Sequence, residues 1–286
     1  MALEHLYSDK EVVEEVSRYF NVKEINKLIK SQTQPSLPRI NNSPQIIGTC
    51  FDIYFKFLLW DYLNKIGHHT FEVGDLDDWG ISFELQYSLN DSTLPDRKQA
   101  TACTTKTFKE LDKVINSDKS SKYENLANLS QTMSYLKAWR HRRYVEMPEP
   151  SPEITSELIQ LGILINFDEL NISKLDKVYI NPKSLIDYKA FIPDILIGST
   201  LVDIKTKYEP KLNLNDVIQI LCYFSLCQEP RSNFYLNFDA TSIDSIGFYF
   251  SRHGFYWNPN LTDYINKNEL KSLVELLNYN IKHYLY

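Results

Sequence analysis

The sequence predicts an α/β fold, with a mixed β-sheet in the C-terminal half behind a largely helical N-terminal half. Three observations predict it. Two short apolar runs, Ile195–Ile197 and Leu201–Ile204, meet at Gly198-Ser199-Thr200, as the strands of a buried β-hairpin do. A longer apolar stretch, with Val217, Ile218, Ile220, Leu221 and Phe224, follows one loop later as a packed helix. Upstream, Phe51, Tyr54, Phe55, Leu58, Leu59, Tyr62, Leu63 and Ile66 recur at helical spacing.

The remaining elements follow in chain order. Ser8-Asp-Lys-Glu11 has the capping-box form and opens a helix toward Val16–Phe20. A second short helix covers Val22 to Lys30, and Ser31 to Pro44, rich in Ser, Gln, Pro and Asn, is a linker. The striped helix runs from Gly48 to near Gly67. The acidic stretch Phe71–Pro95 contains Asp75-Leu-Asp77-Asp78-Trp79-Gly80, which starts like a calcium loop. Trp79 and Gln86 occupy two of its liganding places, so it reads as a solvated loop. Helices are expected over Lys98–Ile115 and Tyr123–Tyr144. The three prolines of Met147–Pro152 form a hinge before another helix over Glu153–Ile165. Lys177 to Leu185 suggests a strand leading into the hairpin. Asn213 or Asn215 caps a helix running to about Gln228. Strands over Ile243–Phe250 and Gly254–Trp257 and a final amphipathic helix, using Tyr264, Leu270, Leu273, Val274, Leu277, Ile281 and Tyr284, complete the chain.

The 286 residues suit one large domain, or one domain with a helical elaboration. Cys50, Cys103, Cys222 and Cys227 are scattered in apolar contexts, as buried thiols in a reducing cytoplasm are. No run approaches the roughly 20 apolar residues of a membrane span, and the first residues lack the pattern of a signal peptide. A cytoplasmic protein is expected. The net charge of −6 excludes a chain that coats nucleic acid nonspecifically, yet it leaves room for one local basic groove. His68, His69 and His253 are expected at the surface or as caps.

The chemistry-bearing residues cluster around the hairpin. Asp203 and Lys205 lie two apart, so on a strand both side chains emerge on one face. Asp194 enters the same apolar frame. Buried charges are costly unless they serve each other or a metal ion. Taken alone, Asp203–Lys205 also reads as an ordinary strand ion pair and Asp194 as a turn residue after Pro193. Gln219 and Tyr223, four apart, share one helix face and need polar partners there. Lys137-Ala-Trp139-Arg140-His141-Arg142-Arg143-Tyr144 is the densest basic cluster. It either complements a helix dipole or grips phosphates with Trp139 or Tyr144 stacking on a base.

Pro193-Asp194 followed by Asp203-Ile204-Lys205 resembles the PD-(D/E)XK nuclease superfamily. Gln219-Ile-Leu-Cys-Tyr223 resembles the Q-x-x-x-Y element of its RecB-like and lambda-exonuclease-like branches, and Gly48-Thr-Cys-Phe-Asp52 resembles their helical first motif. The resemblance implies a restriction-endonuclease-like three-layer core with a central mixed β-sheet. It implies one nuclease domain over residues 1–286, in which 1–147 is mainly helical and contributes the first motif and 152–286 is the α/β catalytic core. It also implies a Mg²⁺- or Mn²⁺-dependent deoxyribonuclease acting on DNA. Asp194, Asp203 and the Ile204 carbonyl would hold the metal, with Asp52 completing the shell and Glu84 as its substitute. Lys205 would orient or deprotonate the attacking water, or stabilise the transition state, with Gln219 and Tyr223 holding it and the substrate phosphate. Trp139, Arg140, Arg142 and Arg143 are the candidate nucleic-acid contacts. The four-cysteine iron–sulfur set of some relatives is absent. No phosphate loop is present, so any helicase or ATPase motor is a separate chain. Phage defence and repair of DNA ends suit such a nuclease, with oligomers open. The alternative is a non-cleaving DNA-binding or structural subunit of a larger nuclease or defence complex.

Overall fold

A computed structural model describes residues 5–34, 36–38, 44–73, 106–107, 109–117, 120–139, 149–173, 176–182, 193–228 and 243–285. The chain divides into two compact units: Met1–Ser36 together with Glu169–Tyr286, and Leu37–Asp168.

The first unit carries a mixed sheet. Its strands β2 (Val178–Ile180), β3 (Ile195–Ile197), β4 (Thr200–Lys205), β5 (Ser245–Phe250) and β6 (Phe255–Trp257) lie in sequence order. Neighbours pair antiparallel except β4 and β5, which run parallel in the register Leu201↔Ile246, Asp203↔Phe248, Lys205↔Phe250. A parallel pair needs a crossover. Here it contains α6 (Leu214–Cys227).

The β3–β4 hairpin forms as the apolar runs predict. Ile197 pairs with Thr200, which leaves Gly198-Ser199 as a two-residue turn. Gly198 has φ +54°, at the first turn position, where tight hairpin turns favour glycine.

Side chains alternate along the strands. Tyr179, Leu196, Leu201, Ile246, Phe248, Phe250 and Trp257 share one core with α1 (Lys10–Tyr19), α2 (Val22–Gln32), α6 and α7 (Lys267–Leu285). The alternate residues Val178, Ile180, Ile195, Val202 and Tyr249 are buried too. Burial on both faces explains why these strands read as continuous apolar runs.

Three details differ from expectation. The cap of α1 is Asp9, which accepts from the Val12 amide at 3.0 Å, and the Ser8 hydroxyl donates to the His5 carbonyl instead. Both α1 and α2 pack on the C-terminal sheet unit rather than with the helical stretch that follows them. His253 is buried: its Nδ1 lies 2.7 Å from the Gln34 carbonyl and its Nε2 3.0 Å from that of Tyr208. It ties the segment after α2 to the loop after β4.

The second unit packs α3 (Pro44–Lys65), α4 (Lys122–Trp139) and α5 (Pro152–Ile163) against one another, and it carries the short strand β1 (Phe71–Val73). The expected stripe on α3 is too narrow, because Ile47, Cys50, Ile53 and Phe57 are buried as well. A helix apolar nearly all round belongs at the centre of a bundle. Its polar groups are matched within the unit. Asp61 pairs with buried Lys122 and, at 2.7 Å, with Lys65. Between α4 and α5, Gln131 donates to the Thr155 hydroxyl at 2.7 Å and accepts from the Ser151 amide at 2.8 Å. His68 is buried rather than exposed. Cys50, Cys222 and Cys227 are buried free thiols, as expected. Among the described residues no helix is long and apolar enough to cross a membrane. The acidic loop with Glu84, and Cys103, lie outside the described residues.

Gly247 on β5 tests the packing of the sheet. A Cβ there would stand 2.6 Å from the Tyr256 hydroxyl oxygen and 2.7–2.9 Å from its ring carbons. Gly247→Ala should destabilise the sheet unit by about 1–3 kcal/mol through overpacking, read as a lower denaturation midpoint by circular dichroism. An unchanged midpoint would show that the Tyr256 ring yields freely.

Candidate functional site

Asp203 and Lys205 occupy alternate positions at the end of β4, on the face that meets α6. The strand dictates this: period-two alternation continues the buried Leu201 into Asp203 and Lys205. Asp194 lies immediately before β3, and its Oδ2 accepts from the Ile204 amide at 2.9 Å. The hairpin therefore joins Asp194 to the backbone between Asp203 and Lys205.

From α6, Gln219 and Tyr223 reach the same place. The Lys205 ammonium donates to Gln219 Oε1 at 3.1 Å, and Gln219 Nε2 donates to the Tyr223 hydroxyl at 3.0 Å. A relay thus runs from the strand lysine along one helix face. Lys205 also lies 2.7 Å from Asp203 Oδ2 and 3.0 Å from Asp216 Oδ1. Asp216 completes the ladder Asp216, Gln219, Tyr223 on α6, and its other oxygen pairs with Lys207.

Two of these neighbours were not singled out in the sequence. Asp216 carried a signal, because Asn213-x-x-Asp216 is a capping box: Asn213 Oδ1 accepts from the Asp216 amide and Asp216 Oδ2 from the Asn213 amide. Tyr7, just before α1, feels the charges of Lys205, Asp203 and Asp216, while burial pushes its hydroxyl up to about 12. Nothing in the sequence marks it.

The charges are strongly coupled. Burial raises the Asp203 carboxyl to about 6, against the lowering effect of Lys205 and with help from nearby Asp194. Burial works against charge on Lys205 too, but Asp203 and Asp216 outweigh it and raise its pKa. Asp216 is buried as well, yet Lys205 and Lys207 keep its carboxyl below the usual value. Three carboxylates against two ammoniums leave one formal negative charge.

The other expected residues fall in the second unit or outside the described residues. Asp52 lies on α3 in the second unit, where it pairs with buried Lys56 at 2.7 Å. Trp139 ends α4, and Arg140, Arg142 and Arg143 lie outside the described residues.

Among the described residues no group of three or more His, Cys, Asp or Glu side chains converges as a metal set. Asp194 and Asp203 are near enough to influence each other electrostatically, and Asp194 accepts from the Ile204 amide. Asp203 Oδ2 is buried and pairs with the Lys205 ammonium at 2.7 Å. A buried carboxylate oxygen of this kind suits a hard divalent cation. No family model, curated protein or solved structure matches the chain.

The raised Asp203 carboxyl has a signed consequence. Between 3.8 and about 6 the folded chain holds a proton that the unfolded chain has released. This group's contribution to stability therefore falls as pH rises through that window. Asp203→Asn cannot ionise, so its stability relative to wild type should be greater at pH 7 than at pH 4. Thermal melts at both values decide it, and an equal difference would contradict the burial argument.

Proposed function

We propose that this protein is a metal-dependent nuclease of the PD-(D/E)XK type that hydrolyses DNA phosphodiester bonds. The observation that carries the reading is the meeting of Asp194, Asp203, Lys205, Gln219 and Tyr223, residues from three separate stretches, around one partly buried lysine. An ordinary strand ion pair would not require a glutamine–tyrosine relay from the neighbouring helix.

Asp194, Asp203 and the Ile204 carbonyl would hold Mg²⁺ or Mn²⁺. Bound there, such an ion supplies Lewis acidity and a water of lowered pKa. The chain's own groups do the rest. The two carboxylates fix the position of the ion on a buried strand edge. Lys205, kept cationic by Asp203 and Asp216, offers positive charge to the phosphate oxygens as negative charge builds there. A lysine so held fits the charge-stabilising role better than that of a general base. Gln219 fixes the ammonium, and Tyr223 fixes Gln219. The edge of the site is accessible, since Asp194, Ile204 and Gln219 are only partly buried.

Linear and circular DNA incubated with Mg²⁺ or Mn²⁺, against EDTA, test the reading. Wild type should cut only with the metal, and Lys205→Ala should lose on the order of 100-fold or more in rate under conditions where circular dichroism shows it folded. Cutting of linear DNA alone would indicate a need for an end. No cutting of either by folded wild type would overturn the proposal.

A further inference from the structure

We infer that Asp216 is a positioning residue of this site, holding the Lys205 ammonium in place independently of Asp203. Its catalytic meaning rests on the nuclease reading above, whereas the contacts themselves do not.

Lys205 lies between two carboxylates, Asp203 at 2.7 Å and Asp216 at 3.0 Å. The two are differently secured. Asp203 Oδ2 is held by the Lys205 ammonium at 2.7 Å, so a cation at Asp203 would have to share that oxygen with the lysine. Asp216 is fixed on both sides: Oδ2 accepts from the Asn213 amide at 2.7 Å and pairs with Lys207, and Oδ1 faces Lys205. Its own amide is held by Asn213 Oδ1 at 2.8 Å.

A cation at Asp203 competes with Lys205 for the same carboxylate, and charge repulsion would drive the ammonium away. Gln219 alone is a neutral acceptor at 3.1 Å. Asp216 supplies the anionic partner that remains, and it does so from the rigid first turn of α6. Asp216, Gln219 and Tyr223 thus form one rail along the helix, spaced by three and four residues. A cap alone would leave one oxygen unused. Here that oxygen is spent on the lysine.

Asp216→Asn keeps an acceptor for the cap and removes the charge, while Asn213→Ala removes the side-chain cap and keeps the carboxylate. Under the proposal, Asp216→Asn loses on the order of 10- to 100-fold in kcat with KM for DNA within about twofold. Asn213→Ala should lower Tm and keep kcat. An Asp216→Asn enzyme with wild-type kcat would reduce Asp216 to a cap and overturn the proposal.

The ¹⁵Nζ resonance of Lys205 gives a second readout that needs neither metal nor activity. It should be visible and protected from exchange in wild type and broadened or lost in Asp216→Asn. Should that variant fail to fold, Asp216→Glu, with the charge moved by one methylene, should shift the same resonance. An unmoved resonance in the folded variant overturns the proposal, even where DNA cleavage has already failed and removed the nuclease reading.

Discussion

The sheet unit is organised around the charge of Lys205. A buried ammonium is among the most expensive groups a core can contain, and desolvating two charges often costs more than their attraction returns. Lys205 is tolerated because partners reach it from its own strand and from α6: Asp203, Asp216 and Gln219. Gln219 is neutral, so the charge itself is balanced by Asp203 and Asp216. Stability alone would favour an apolar residue at such a position.

Placing those partners depends on the order β4, α6, β5. The parallel pairing of β4 and β5 obliges the chain to cross over, and α6, on that crossover, packs on the face bearing Asp203 and Lys205. Its neighbours fix its start. Asn26 on α2 donates to the Leu212 carbonyl and accepts from the Leu212 amide, both at 2.8 Å. Those two bonds hold the residue just before the Asn213 cap. The N-terminal helices therefore act on the site at a distance of nearly 190 residues in sequence, by setting where α6 begins.

The legibility of the sequence follows from the range of the forces involved. The β3–β4 hairpin was readable because its signals are local: apolar alternation, a glycine at the turn, and two charged residues of matching parity. The face of α6 was readable for the same reason, since Gln219 and Tyr223 are separated by one helical turn. The packing of α1 and α2 on the sheet was not, because nothing in Val12, Val16, Ile25 or Ile29 says which apolar surface they meet. The burial of His68 and His253 was missed likewise. His253 is accommodated by carbonyls of Gln34 and Tyr208, and backbone acceptors leave no trace in side-chain identity. Asp216 was not legible because its contacts with Lys205 and Lys207 are tertiary ones that helix spacing does not show.

That last case separates two kinds of polar residue at a helix start. A capping carboxylate is satisfied locally and is stabilised by the positive end of the helix dipole. One that also faces a buried ammonium experiences two fields, and both act in the same direction, keeping it charged. Asp203 experiences the reverse, since burial and the neighbouring carboxylates push it toward the neutral form while Lys205 alone opposes them. Two carboxylates therefore flank one lysine with opposite tendencies, Asp216 firmly anionic and Asp203 poised to exchange its charge for a proton or a cation. On the proposed nuclease reading, this asymmetry would let a divalent ion bind at Asp203 while Asp216 keeps the lysine in place. It arises here from placing one carboxylate at a helix start and the other on a buried strand.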